Sequence, residues 1–210
     1  MQRHVSLPLA AAIAAAVLFA VSVAGFGVMH DGFSQLRHPV AALGGSGVDH
    51  ALAFNVFAFV VPGLLAAFAT QALRARMADT RFIARLGVQA LTLAAMAFAA
   101  LGLLPLDSTD LLATASRLHA ATWTVWWVAF VAGALMLAVG MRGTRQARRS
   151  WMVAGCALVT LAFALVLPGL LPVGLSQRVA FGAWFAATVL CAPPNRGAAS
   201  VPGSSPTGPA

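Results

Sequence analysis

The sequence predicts an all-α fold, a polytopic transmembrane helix bundle of six spans with short connections, and three observations lead there. Charged side chains make up only 9% of the 210 residues and apolar ones 60%, where an ordinary soluble domain is roughly a quarter charged. The mean hydropathy of +0.88 comes from several apolar runs as long as a bilayer is thick. A chain of this size has no water-soluble core large enough to bury them all.

The first run, residues 5–29, carries no charge. At about 1.5 Å per residue it covers a hydrocarbon layer of about 30 Å, and it exceeds the roughly 7–15-residue core of a signal peptide, so a retained helix is expected. The second run covers 51–73. The third covers 82–106, with Arg81 and Arg85 reaching back to the head groups. The fourth and fifth cover 118–141 and 151–171. The sixth, 175–192, is the weakest and needs Arg178 to snorkel at its edge. Five spans plus a re-entrant segment is the competing count.

Pro62-Gly63 predicts a kink inside the second helix, because proline removes a donor and crowds the preceding turn. Pro168-Gly169 marks the exit of the fifth. The related strings VPGLL and LPGLL lie in helices of opposite direction, as an inverted repeat would place them. Convergent use of a common helix-end composition is the preferred reading. Residues 1–192 form one transmembrane domain on this view. The segment 193–210, rich in Pro, Gly and Ser, is expected to be a disordered cytoplasmic tail.

Charge then orients the bundle. Arg74, Arg76, Arg81 and Arg85 lie between the second and third spans, and Arg142, Arg145, Arg148 and Arg149 between the fourth and fifth. With six crossings Arg3 and Arg196 join them, against the single acid Asp79. The opposite side carries Arg37, Arg117 and Arg178 among Asp31, Asp49, Asp107 and Asp110. By the positive-inside rule both termini are expected in the cytoplasm of a cell-membrane protein.

The formal charge of +8 lies in short clusters between apolar runs, without the basic stripe and interleaved aromatics that nucleic acid requires, so no nucleic-acid partner is expected. Cys156 and Cys191 lie inside apolar runs with no metal-ligand or redox spacing. The exclusive use of Arg for positive charge reads as codon bias.

The outer side gathers polar side chains. His30, His38, His50 and His119 all fall at or beyond the helix ends there. The longest outer connection, 31–49, contains HPVAALGGSG, a segment that would serve either as a lid over the bundle or as a mobile surface loop. Asn55, about 7.5 Å deeper than His50 along the second helix, needs a hydrogen-bond partner and so faces a neighbouring helix or an outward pocket. Gln89 and Thr92 are candidate partners for the helix-to-helix alternative. Around the fourth span, Ser108-Thr109-Asp110 reads as a helix cap. Asp110, Thr114 and Arg117 form one stripe, and His119, Trp123 and Trp126 a second with Trp127 beside it. The indoles read either as an aromatic belt or as the wall of a ligand site.

No HExxH or comparable spacing exists, so no metal and no other cofactor is expected. Acid–base chemistry would draw on His50 or His119 tuned by Asp49 or Asp110. No nucleophile elbow or phosphate loop supports it, and no acid or histidine lies at the midplane to relay protons.

Three segments carry a family resemblance: HALAFNVFAFVVPGLL from His50 to Leu65, LPLDSTDLLATASRLHA from Leu104 to Ala120 followed by Trp126-Trp127, and GLSQRVAFGAWF from Gly174 to Phe185. Over roughly residues 30–190 the chain resembles the prokaryotic six-helix integral-membrane family catalogued as domain of unknown function 998. The resemblance implies a compact multi-pass membrane protein in which His50, Asn55, Asp107, Arg117, His119, Gln177 and Arg178 occupy recurrent polar positions. It implies no reaction or substrate. Many relatives carry Asn after the histidine of the fourth helix, where this chain has Ala120.

The expectation carried forward is an outward-facing pocket for a small ligand or a lipid head group, drawn from His50, Asn55, Asp107, Asp110, Arg117, His119, Trp123, Gln177 and Arg178. Membrane lipids are the expected partners, and the oligomeric state is left unassigned. Two alternatives stand beside it: a membrane enzyme using the same groups, and a structural protein in which Asp107 or Asp110 pairs with Arg117 or Arg178.

Overall fold

Serine followed by leucine and proline is a helix-start signal, and the first helix begins there. Ser6 Oγ accepts the Leu9 N–H at 3.3 Å, and Pro8 lies in the first turn, where its missing donor is not needed. The computed structural model describes residues 5–107, 110 and 112–193. Arg3, Arg196, Ser108, Thr109 and the expected tail from residue 194 onward lie outside the described residues.

Six helices among the described residues are long and apolar enough to cross a membrane: α1 (Leu7–Met29), α2 (Ala51–Arg74), α3 (Phe82–Leu103), α4 (Thr114–Gly140), α5 (Ala147–Gly169) and α6 (Val173–Cys191). The same residues contain no strand. The fourth helix starts at Thr114, after Ala113, and not at the cap expected around Asp110. Asp110 Oδ1 instead accepts the Leu112 N–H at 2.8 Å inside the preceding turn. Asp110 therefore shares no helical stripe with Thr114 and Arg117.

Both proline–glycine pairs are preceded by a widened turn. Residues Val56–Val60 form a π segment in which the Val61 N–H reaches Val56 O, just before Pro62. Residues Ala162–Val166 form another in which the Leu167 N–H reaches Ala162 O, just before Pro168. A proline offers no N–H to the carbonyl four residues back, and a five-residue turn relieves the crowding its ring creates. The local device is shared but its setting differs. Pro62 and Gly63 are buried in the middle of α2, where a Cβ on Gly63 would come 2.6 Å from Ala99 N of α3. Pro168 instead ends α5 in a 3₁₀ turn, and Gly169 faces open space.

Each helix packs on its sequence neighbour, and α1 closes the ring against α6. At one end Ser6 Oγ donates to Pro193 O at 2.6 Å, joining the start of α1 to the end of α6. Aromatic rings from five helices fill the centre. Phe98 of α3 stacks on Trp184 of α6 at 4.4 Å, and Phe59 of α2 lies 5.3 Å from Phe98. Phe19 of α1 meets Phe181 of α6 at 5.2 Å, and Trp126 of α4 meets the same ring at 5.1 Å. Where backbones must approach, small residues allow it. A Cβ on Gly87 of α3 would come 2.6 Å from Leu137 N of α4, and one on Gly140 would come 2.5 Å from Ala84 N.

Candidate functional site

Loop backbone that folds over the end of a bundle must find partners for its amides and carbonyls, and the connection between α1 and α2 finds them in side chains from two helices, α2 and α6, and in neighbouring backbone. Its middle forms a 3₁₀ turn, Val40–Gly44, with Val40, Leu43 and Gly44 buried. Asn55 Nδ2 of α2 donates to Gly44 O at 2.8 Å. Gln177 Oε1 of α6 accepts the Val40 N–H at 2.8 Å. Gln35, within the connection, donates from Nε2 to Val23 O of α1 at 3.0 Å. Backbone bonds complete the clamp, from Ser46 N to Leu106 O at 2.9 Å and from Leu175 N to Leu36 O at 3.0 Å. The connection is thus a fixed lid and not a free loop.

Arg178 joins this clamp. Its Nε donates to Gln35 Oε1 at 3.0 Å and Nη2 donates to the same oxygen, while Nη1 donates to His38 O at 3.1 Å and to Gly174 O at 2.8 Å. The guanidinium also lies 5.7 Å from the centre of the Phe33 ring. All of these acceptors are neutral, so the positive charge of a half-buried side chain is solvated by dipoles and not by a carboxylate.

A second group forms around the connection between α3 and α4. His119 Nδ1 lies 2.7 Å from Leu104 O; since a carbonyl only accepts, Nδ1 carries a proton and donates it there. Ser116 Oγ donates to Asp107 O at 3.0 Å and Asp110 O at 2.9 Å. Asp107 Oδ1 accepts the Asp110 N–H at 3.2 Å. The Arg117 side chain is exposed. Trp123 turns inward, 4.8 Å from Trp126 and 5.5 Å from Phe181, so it belongs to the aromatic centre and not to a belt.

His50 is separate from both groups. It enters α2 in the left-handed region, at φ 60 and ψ 14, a conformation that histidine tolerates better than most side chains. With His30, Asp31 and Asp49 it borders a recess of about 300 Å³ floored by Phe26 and Leu43. Among the described residues no three His, Cys, Asp or Glu side chains are placed to hold a metal ion.

The structure therefore brings Asn55, Gln177 and Arg178 together on one lid, His119, Asp107 and Asp110 on another connection, and leaves His50 and Arg117 apart. Sequence reasoning missed Gln35 and Ser116, which donate to backbone carbonyls of the segments preceding them. It read Gly44 only as one of the turn-permitting glycines of HPVAALGGSG, and it missed the close approach at Gly174. A Cβ on Gly44 would overlap Asn55 Oδ1, and one on Gly174 would lie 2.5 Å from His38 O.

A large concavity lies beside the lid. Between α1 and α6 runs a groove of about 920 Å³ that opens on the flank of the bundle. Small residues hold its walls apart: Ala16, Ala20 and Ala24 on α1, Gly182 and Ala186 on α6, with Phe19 behind them. A Cβ on Gly182 would meet nothing within 4 Å. Only Gln35 and Arg178 bring polar side chains to it, both at the lid end. From Ala16 to Val28 the groove follows α1 for about 18 Å at 1.5 Å per residue.

The model of the family described as "Protein of unknown function (DUF998)" matches residues 13–192, and the chain belongs to that family. No curated protein and no solved structure matches it.

Proposed function

We propose that this member of a family without an assigned activity is a multi-pass cell-membrane protein that holds one anionic membrane lipid in the α1–α6 groove, an acyl chain along the helices and the head group at Arg178 and Gln35. The observation that carries this reading is the pairing of an apolar slot with one cation. The slot is almost wholly lined by Ala, Val, Leu, Gly and Phe, and the guanidinium at its mouth has only neutral acceptors among the described residues. An anionic head group would supply the missing counter-charge, and the slot's length of about 18 Å exceeds half of a hydrocarbon layer about 30 Å thick. Its volume lies in the range of roughly 300–1,000 Å³ typical of ligand sites.

On this reading the arginine-rich connections face the cytoplasm and the lid faces outward, because short loops rich in arginine stay inside. The groove would then serve the outer leaflet. Asn55 and Gln177 hold the lid, and the lid's Gln35 holds Arg178 at the mouth; they position the site and do not themselves react.

Gly182→Phe tests the proposal without touching the lid, because that position faces open space. The full chain is purified in a mild detergent and its bound phosphatidylglycerol measured by native mass spectrometry. Retention is expected to fall at least fivefold while the melting temperature stays within about 3 °C, since a surface substitution of this kind changes stability little. Equal retention in the variant and the parent would overturn the proposal.

A further inference from the structure

The positive-inside rule asks only that arginines lie in certain connections; it says nothing about where around the bundle they point. At the arginine-rich end, Arg76 from the α2–α3 connection converges with Arg145 and Arg149 from the α4–α5 region on one cavity of about 470 Å³. Arg81, Arg85, Arg142 and Arg148 of the same connections do not border it. No Asp or Glu borders it either. Ser150, Thr80 and Gln146 add neutral polar side chains, while Leu137, Met141 and Val153 make an apolar floor.

Arg149 is oriented before any ligand arrives. Its Nη2 donates to Ala192 O at 2.9 Å and to Val189 O at 3.4 Å, carbonyls at the end of α6 where the helical ladder runs out of donors. Those bonds fix the guanidinium at the cavity wall and leave Nε and Nη1 available. Arg145 is exposed at the rim. We propose that this cavity is a second binding site, for a phosphate ester with an apolar appendage, its phosphate held between Arg145 and Arg149 and its apolar part on Leu137, Met141 and Val153. Guanidinium groups match phosphate oxygens in geometry and charge. The site is distinct from the head-group end of the α1–α6 groove at Arg178, which lies at the other end of α6, although Leu190 borders both the groove and this cavity.

Two sources offer this chemistry, the phosphodiester of an anionic lipid and a soluble phosphate compound, and the experiment separates them. The full chain in detergent is titrated with dioleoyl phosphatidylglycerol and, as a zwitterionic reference, dioleoyl phosphatidylcholine, read by native mass spectrometry. In a parallel arm inorganic phosphate is added and the melting temperature followed. Both arms are repeated in the Gly182→Phe background, so that lipid held in the α1–α6 groove does not contribute. Arg145→Gln is expected to weaken binding about tenfold, the loss of one charge-assisted hydrogen bond, with Arg145→Lys partly restoring it. Arg148→Gln removes the same charge away from the cavity and is expected to change binding less than twofold, since screened surface charge contributes little. Loss confined to the lipid arm identifies the head group as ligand, and loss in the phosphate arm identifies a soluble one. Equal losses in the Arg145 and Arg148 variants, or binding indifferent to Arg145 in both arms, would refute the site.

Discussion

Asn55 was expected to need a partner because an amide inside a membrane has no water to turn to, and that expectation named the right residue for a reason the sequence contains. The partner it finds, Gly44 O, carries no side-chain signal at all. Asn55→Ala is expected to destabilise the bundle by about 1–3 kcal/mol, the cost of a buried hydrogen bond left unmade. The same change should raise hydrogen exchange across the Val40–Gly44 turn; exchange unaltered there would mean the amide does not hold the lid. Gly174→Ala tests the clamp from the other side. Its Cβ would press on His38 O at 2.5 Å and Leu36 O at 2.7 Å, so lid and α6 must part, and protease cleavage between residues 31 and 49 should accelerate. Arg178 looked like a snorkelling cation or one half of an acid–base pair. Its donors go to Gln35 and to two carbonyls instead, and exchanging charges with Asp107 or Asp110 should therefore lose stability additively.

Helices were the most legible elements, since each is an apolar run of a length set by the bilayer. Their ends were less so. The start of α4 moved to Thr114 because Asp110 spends its carboxylate on Leu112 N–H in a loop turn, and a capping residue does not announce which amide it will cap. The kink expected at Pro62 is realised as a π segment within a continuous helix. Its resemblance to the turn before Pro168 reflects the shared need of a proline, not an equivalent position in a repeat. Close packing of α3 on α4 depends on Gly87 and Gly133 lying backbone to backbone. Gly87→Leu is expected to lower the melting temperature in detergent by more than 5 °C, because the nearest atoms are main-chain and cannot rotate away. An unshifted melting curve would show that the two helices separate at little cost.

At the scale of the whole molecule the remaining prediction concerns sidedness. Cysteines introduced at Ser46 in the lid and at Arg148 in the α4–α5 connection, both exposed, can be offered a membrane-impermeant maleimide on intact cells. Labelling at position 46 alone, with position 148 reacting only after permeabilisation, is the expected pattern; the reverse would invert the bundle. Hydropathy, run length and the partition of arginine are sums over neighbouring residues, and from them the number of helices and an expected orientation follow without any knowledge of contacts. Which polar groups meet is another matter. Apart from the Arg178–Gln35 pair, the lid's bonds run between Asn55, Gln177 or Arg178 and carbonyls or amides that every residue possesses, and the α1–α6 groove arises from alanines and a glycine that composition treats as ordinary packing. Only the folded arrangement selects one carbonyl among many and decides whether small residues face each other across a contact or across a gap.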